Sequence, residues 1–202
     1  DRTQAPSGVG YALRNRRLLA RTFPEAFRVY PMRRLQPFLD LWQASLQRLG
    51  AHHGDDARAV LLTPGPYNDA YFEHVFLARE LSITLAQGSD LTVRDNRVLL
   101  KTLGGLLPVD VILRRQDDSF CDPLELRGDS MLGVPGLLDV YRRGNVGLAN
   151  APGTGVADDK AVYTYVPKMI RFYLDEEPIL PNVPTYQCSV PIERAHVLDN
   201  IH

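Results

Sequence analysis

Ala59-Val60-Leu61-Leu62-Thr63-Pro64-Gly65-Pro66-Tyr67-Asn68 reads as a strand that leaves a sheet through a stiff loop and enters a helix. Four apolar residues in succession, with no polar alternation, predict a strand buried on both faces, as parallel sheets require. Two prolines fix the backbone on either side of Gly65. Asn68 is a residue type that caps helices, so a helix is expected from Asp69 to about Leu81, with Phe72, Val75, Phe76 and Ala78 on its apolar side.

Working outward, the same grammar repeats. Ile83–Ala86 is a second short strand. Leu91–Arg94 and Arg97–Lys101 flank Asp95-Asn96, a two-residue hairpin signal. Val109–Leu113 is a further buried strand and runs directly into Arg114-Arg115. Pro135–Arg143 reads as a short helix stopped by Gly144, and Val146–Asn150 as another strand. Alternation of this kind predicts an α/β fold: an open, mostly parallel, Rossmann-like sheet with an appended β-hairpin.

Upstream, residues 9–54 carry two helical patterns. One runs from Tyr11 to Thr22 and breaks at Pro24; the other passes through Leu35, Phe38, Leu39, Trp42, Leu46 and Leu49 to Gly50. Downstream, Asp158 is expected to cap a helix reaching about Leu174, with Pro167 disturbing its middle. Pro178, Pro181 and Pro184 make an extended stretch, and Glu193–Ile201 a weak helix. Three segments are therefore expected: a helical one over 1–55, the α/β one over 56–155, and a helix with an extended linker over 156–202. The polar opening Asp1–Gly8 and the charged tail read as cuts through a longer protein.

Composition narrows the classes. With 45% hydrophobic and 23% charged residues the 202-residue chain is an ordinary globular sequence. A formal net charge of −1 gives no reason to expect nucleic acid or an anionic membrane. No apolar run approaches the roughly 20 residues of a membrane span. Two distant cysteines, Cys121 and Cys188, make neither a disulfide framework nor a zinc site, and a cytoplasmic location is the default.

Ligands of open α/β sheets bind where strand C-termini meet loops and helix N-termini. Three segments fall there. Thr63–Asn68 either presents backbone N–H groups to an anion or is only a rigid turn. Arg114 and Arg115 must point to opposite sides of their strand, so at most one faces the crevice; it recognises a carboxylate there or pairs with Asp117, Asp118 or Asp122. Pro152–Lys160 looks like a phosphate loop but lacks the G-x-x-x-x-G-K-[ST] spacing and carries two acids, although Lys160 could reach a nucleotide held by a neighbouring domain. Cys121 has no partner that would activate it and reads as an inert thiol. The pair His52-His53 is a weak metal signal, because adjacent side chains diverge.

The strings Leu61–Val75 and Val109–Leu126, with Gly133–Gly136, Gly144-Asn145 and Ala149-Asn150, closely resemble the circularly permuted ATP-grasp proteins. That group is related to glutathionylspermidine synthase and eukaryotic glutathione synthetase. The resemblance implies an ATP-dependent carboxylate–amine ligase, using ATP and Mg, with small-molecule carboxylate and amine substrates. It implies a carboxylate substrate site lined by Gly65, Tyr67, Asn68 and one of Arg114 and Arg115. Lys160 looks like a family lysine near the nucleotide. Asp1–Gly8 resembles the family segment D-N-x-R-x-P-S-G, in which Asp1 matches a magnesium ligand; Arg2 replaces the asparagine and Gln4 the arginine. The ATP-grasp domain itself is implied to lie elsewhere in the same protein. The expectation is a substrate-binding portion, inactive alone and binding Mg-ATP poorly. The alternative is a non-catalytic small-molecule-binding or scaffold domain that keeps the fold without the chemistry.

Overall fold

Residues 3–50, 54 and 57–201 are described by a computed structural model of the chain. In chain order the elements are helices α1 (Val9–Thr22), α2 (Pro24–Val29) and α3 (Gln36–Leu49), strand β1 (Ala59–Leu62), helix α4 (Tyr71–Glu80) and strand β2 (Thr84–Ala86). Strands β3 (Leu91–Arg94), β4 (Arg97–Thr102), β5 (Gly105–Val109) and β6 (Val111–Arg114) follow, then α5 (Leu137–Arg142) and β7 (Gly147–Ala149). Helices α6 (Lys160–Tyr163), α7 (Val166–Leu174) and α8 (Pro191–Asp199) complete the order. Two compact units divide the chain: residues 4–152, and residues 153–201 together with Thr3. Helices α1–α3 and the α/β segment thus belong to one unit.

A four-stranded parallel sheet in the order β2-β1-β6-β7 centres the first unit. Its two central strands, β1 and β6, are buried on both faces, which is why they read as unbroken apolar runs. Val60, Leu62, Ile112 and Leu148 point into one core, shared with Leu137, Leu138 and Val140 of α5 and with Leu91, Val98 and Leu100 of the hairpin strands. Ala59, Leu61, Val111 and Leu113 point into the other, against Leu13 of α1, Leu39 and Leu46 of α3, and Leu77 and Ala78 of α4. Each such leucine contributes about 1.5–3 kcal/mol by leaving water.

The expected hairpin forms, with Asp95 and Asn96 both at positive φ (48° and 59°), as a tight turn matching strand twist requires. It is extended by a third strand. The run expected as one strand from Val109 divides at Asp110: β5 pairs with β4 in a separate antiparallel sheet, and β6 joins the parallel one. Asp110 makes the crossing by accepting the Arg58 N–H through Oδ2 at 2.8 Å and the Gly147 N–H through its carbonyl, also at 2.8 Å. Pro108 concealed β5 in the sequence; the strand tolerates it as an edge strand.

Helix α4 begins two residues later than expected, because Asn68 caps a preceding turn through the Ala70 N–H at 2.9 Å. Its buried side is also different. Phe72 and Val75 are exposed, and the buried residues are Glu73, His74, Leu77 and Ala78.

In the second unit, Asp159 rather than Asp158 caps α6, accepting the Ala161 N–H at 2.7 Å. Asp158 accepts instead from the Thr3 hydroxyl at 2.7 Å and from the Thr3 N–H. The single helix expected there is two, since Pro167 cannot sit in a helix interior and takes the first turn of α7. Among the described residues no helix is long and apolar enough to cross a membrane.

Candidate functional site

Strand β1 connects to β2 through α4, and β6 connects to β7 through α5, the two helices lying on opposite faces of the sheet. The chain therefore departs in opposite directions from the adjacent strands β1 and β6. A crevice outside their carboxyl ends follows from that topology. Leu62 pairs with Arg114 as the last rung between them. The next residues, Thr63 and Arg115, stand at the mouth.

Arg114 follows Ile112 to one face and is 0% exposed. Every nitrogen of its guanidinium is engaged: Nε donates to the Asn150 carbonyl at 3.1 Å, Nη1 to Gln116 at 2.5 Å, and Nη2 to Ala151 at 3.3 Å. Nη2 also pairs with Asp118 at 2.7 Å. This arginine ties the loop after β6 to the loop after β7. None of its nitrogens is idle.

Arg115 follows Leu113 to the other face and is 5% exposed. Nη1 donates to the Pro6 carbonyl. Nε and Nη2 are buried without any hydrogen-bond partner. The guanidinium lies 5.5 Å from the ring centroid of Trp42 on α3, and burial lowers its pKa while nearby Glu73 opposes that shift. A cavity of about 390 Å³ opens onto it, lined also by Pro6, Ser7, Val9, Phe38, Leu41, Trp42 and Ser45. Buried N–H groups are nearly always satisfied, so two idle guanidinium nitrogens on a residue that lines a cavity are an exception in search of an acceptor. A carboxylate matches their fork.

Glu73, 1% exposed, lies near enough to Arg115 for its charge to act on it, outside the cavity lining. Its carboxylate accepts the Gly8 N–H at 2.8 and 2.9 Å and the Gly10 N–H at 2.8 Å, closing the start of α1 onto α4. A side chain at Gly10 would meet Glu73 Cγ at 2.7 Å, so glycine is what permits the approach. That clamp places residues 6–9 over Arg115.

His74 lies behind the loop, its Nδ1 2.8 Å from Thr63 Oγ1, which also accepts the Gly65 N–H at 3.2 Å. Burial first, and then the Arg115 charge, lower its pKa from 6.5 to about 4. The imidazole is therefore neutral at neutral pH. Between about pH 6.5 and pH 4 the unfolded chain takes up a proton that the native chain refuses, so stability falls as pH falls through that window. The loss at the acid end is about 2–3 kcal/mol. Urea unfolding at pH 7 and pH 4.5 should show His74→Gln losing clearly less stability on acidification than the parent. Equal losses would remove His74 from the account.

Of the site residues the sequence pointed to, only Arg115 lines this cavity among the described ones. Gly65 (φ 104°) is pressed against Gln87, where a Cβ would approach Oε1 to 2.6 Å; Tyr67 is fully exposed, and Asn68 serves its turn. Lys160 is exposed at the start of α6 in the second unit. Asp1, Arg2, His52 and His53 lie outside the described residues. Among the described residues no group of three or more His, Cys, Asp or Glu is placed to hold a metal. Cys121 is buried, with its pKa raised chiefly by burial, as an inert thiol requires. Sequence reasoning missed Trp42, Thr63, Glu73 and His74. The signal for two of them was present: Glu73-His74 sits in phase with Leu77, Ala78 and Leu81, an acid and a base inside a helix's buried stripe.

An uncharacterized protein of Synechocystis sp. is 49% identical over 201 residues, covering 100% of this chain and 42% of its own length. Two uncharacterized proteins of Mycobacterium tuberculosis are 49% and 37% identical over the whole chain, which spans 36% and 23% of their lengths. This chain thus spans less than half the length of the relatives it matches. Residues 1–202 match the family described as circularly permuted ATP-grasp type 2, and the chain belongs to that family.

Proposed function

We propose that the chain is the carboxylate-binding portion of an ATP-dependent carboxylate–amine ligase of the kind related to glutathionylspermidine synthase, with Arg115 holding the substrate carboxylate. The observation that carries this reading is the pair of buried, unpartnered guanidinium nitrogens at the topological switch point. Its partners would be a carboxylate, an amine and the ATP-grasp domain of the same protein. Two free cysteines suit a reducing cytoplasm.

Members of the ATP-grasp family use ATP with a divalent metal. The described residues do not fit that pair. Lys160 directly follows Asp158 and Asp159, whose charges repel a polyphosphate, and no metal-holding cluster is assembled among them. No phosphorylation step is assigned to these residues. The test extends the chain to the length of its relatives. The extended protein should release ADP from Mg-ATP only with a carboxylate and an amine both present, and the 202-residue chain should release none. Silence of the extended protein across a broad panel would favour a non-catalytic binding or scaffold domain, a reading that Gln4 and Arg2 in the segment resembling a metal motif also support.

A further inference from the structure

Resting on that carboxylate reading, we infer that the cavity over Arg115 selects an apolar monocarboxylate without an α-ammonium group, an aryl- or alkyl-substituted acid rather than an amino acid or a γ-glutamyl peptide. The lining carries the argument. Among the described residues Arg115 is its single charged one, and Pro6, Val9, Phe38, Leu41 and Trp42 supply most of the remaining wall. Of the two hydroxyls, Ser45 donates to the Leu41 carbonyl of its own helix at 2.8 Å and accepts from Arg48 at 2.9 Å, so it is committed within α3. Ser7 and the indole N–H of Trp42 are the other polar side-chain groups among the described lining residues.

Charge decides against an ammonium group. Among the described residues no carboxylate lines the cavity to receive it. The acid nearest in effect, Glu73, is occupied by the Gly8 and Gly10 N–H groups. An ammonium carried in beside Arg115 would meet a like charge in poorly solvated surroundings, where such repulsion is strongest. A peptide would bring several amides, and each would lose its water for an apolar wall. An apolar body loses nothing there, and the volume of about 390 Å³ lies within the range of small-molecule sites. Trp42 and Phe38, with ring centroids 5.7 Å apart, offer an aromatic wall beside the guanidinium.

The test is calorimetric titration of the 202-residue chain with 3-phenylpropanoate, its alcohol 3-phenylpropan-1-ol, phenylalanine, and γ-glutamylcysteinylglycine. Leu41→Glu serves as the variant, since Leu41 is largely exposed and its replacement leaves Arg115 and the core intact. The expected result is 3-phenylpropanoate binding at least tenfold more tightly than each of the other three, and Leu41→Glu weakening it at least tenfold. Tightest binding by the tripeptide or by phenylalanine, with the alcohol bound poorly, overturns the substrate class and leaves the carboxylate reading standing. An alcohol that binds as well as the acid overturns the carboxylate reading itself. Binding of 3-phenylpropanoate unaffected by Leu41→Glu overturns the assignment to this cavity, and no binding by any of the four overturns both.

Discussion

Replacing Arg114 with methionine is expected to lower the stability of the chain by about 3–5 kcal/mol, the range for removing one partner of a buried ion pair. Met fills similar space but takes the Arg114 donors from the carbonyls of Asn150, Gln116 and Ala151 and the Arg114 charge from Asp118. Each lost charge-assisted bond adds its own cost. Arg114→Lys restores the charge without the fork, so it should recover only part of the loss. Urea unfolding midpoints at constant slope measure both. A midpoint for Arg114→Met within error of the parent would mean that the loops after β6 and β7 are held by something else. The neighbouring change, Arg115→Met, strands only the Pro6 carbonyl and should cost far less. Two adjacent arginines are thus separated into a fastening and a proposed receptor by what their nitrogens touch.

Glu73→Ala is the second large effect, expected at about 3–5 kcal/mol by the same measurement. The loss has two sources. The Gly8 and Gly10 N–H groups lose their acceptor at the start of α1, and Arg115 loses the nearby charge that offsets its burial. Glu73→Gln keeps one oxygen and the side-chain volume and should cost about half as much or less. If Glu73→Ala unfolds like the parent, α1 is anchored by Leu13 and its apolar neighbours alone, and the placement of residues 6–9 over Arg115 needs another cause.

Much of the fold was legible because its signals are local. Ala59–Leu62 and Val111–Leu113 announce buried strands by their unbroken apolar character, and Asp95-Asn96 announces a turn by tolerating positive φ. Strand geometry likewise required Arg114 and Arg115 to face opposite ways. The sequence could not say which of them faced a ligand, because the answer depends on Pro6, Trp42, Asn150 and Ala151, all at least 36 residues away along the chain. The role of Glu73 was hidden for the same reason: its phase with Leu77 and Ala78 marked it as buried, but its partners, Gly8 and Gly10, are more than 60 residues distant. Strand β5 was hidden by a local conflict, a proline in a run that an edge strand accepts. The Gly65–Asn68 loop misled in the opposite direction. Its composition suits an anion cradle, yet Gly65 is close because of Gln87 and Asn68 is spent on Ala70.

The central claim is that Arg115 meets a carboxylate with nitrogens that are otherwise idle. It is tested most directly by the side-chain Nε–H resonance of Arg115 in a proton–nitrogen correlation spectrum, assigned through its disappearance in Arg115→Lys. Addition of 3-phenylpropanoate, and more weakly of acetate, should shift that resonance downfield in a saturable way as a charge-assisted hydrogen bond forms, while 3-phenylpropan-1-ol should leave it in place. A resonance that stays put at saturating acid would contradict the claim and return Arg115 to a structural role.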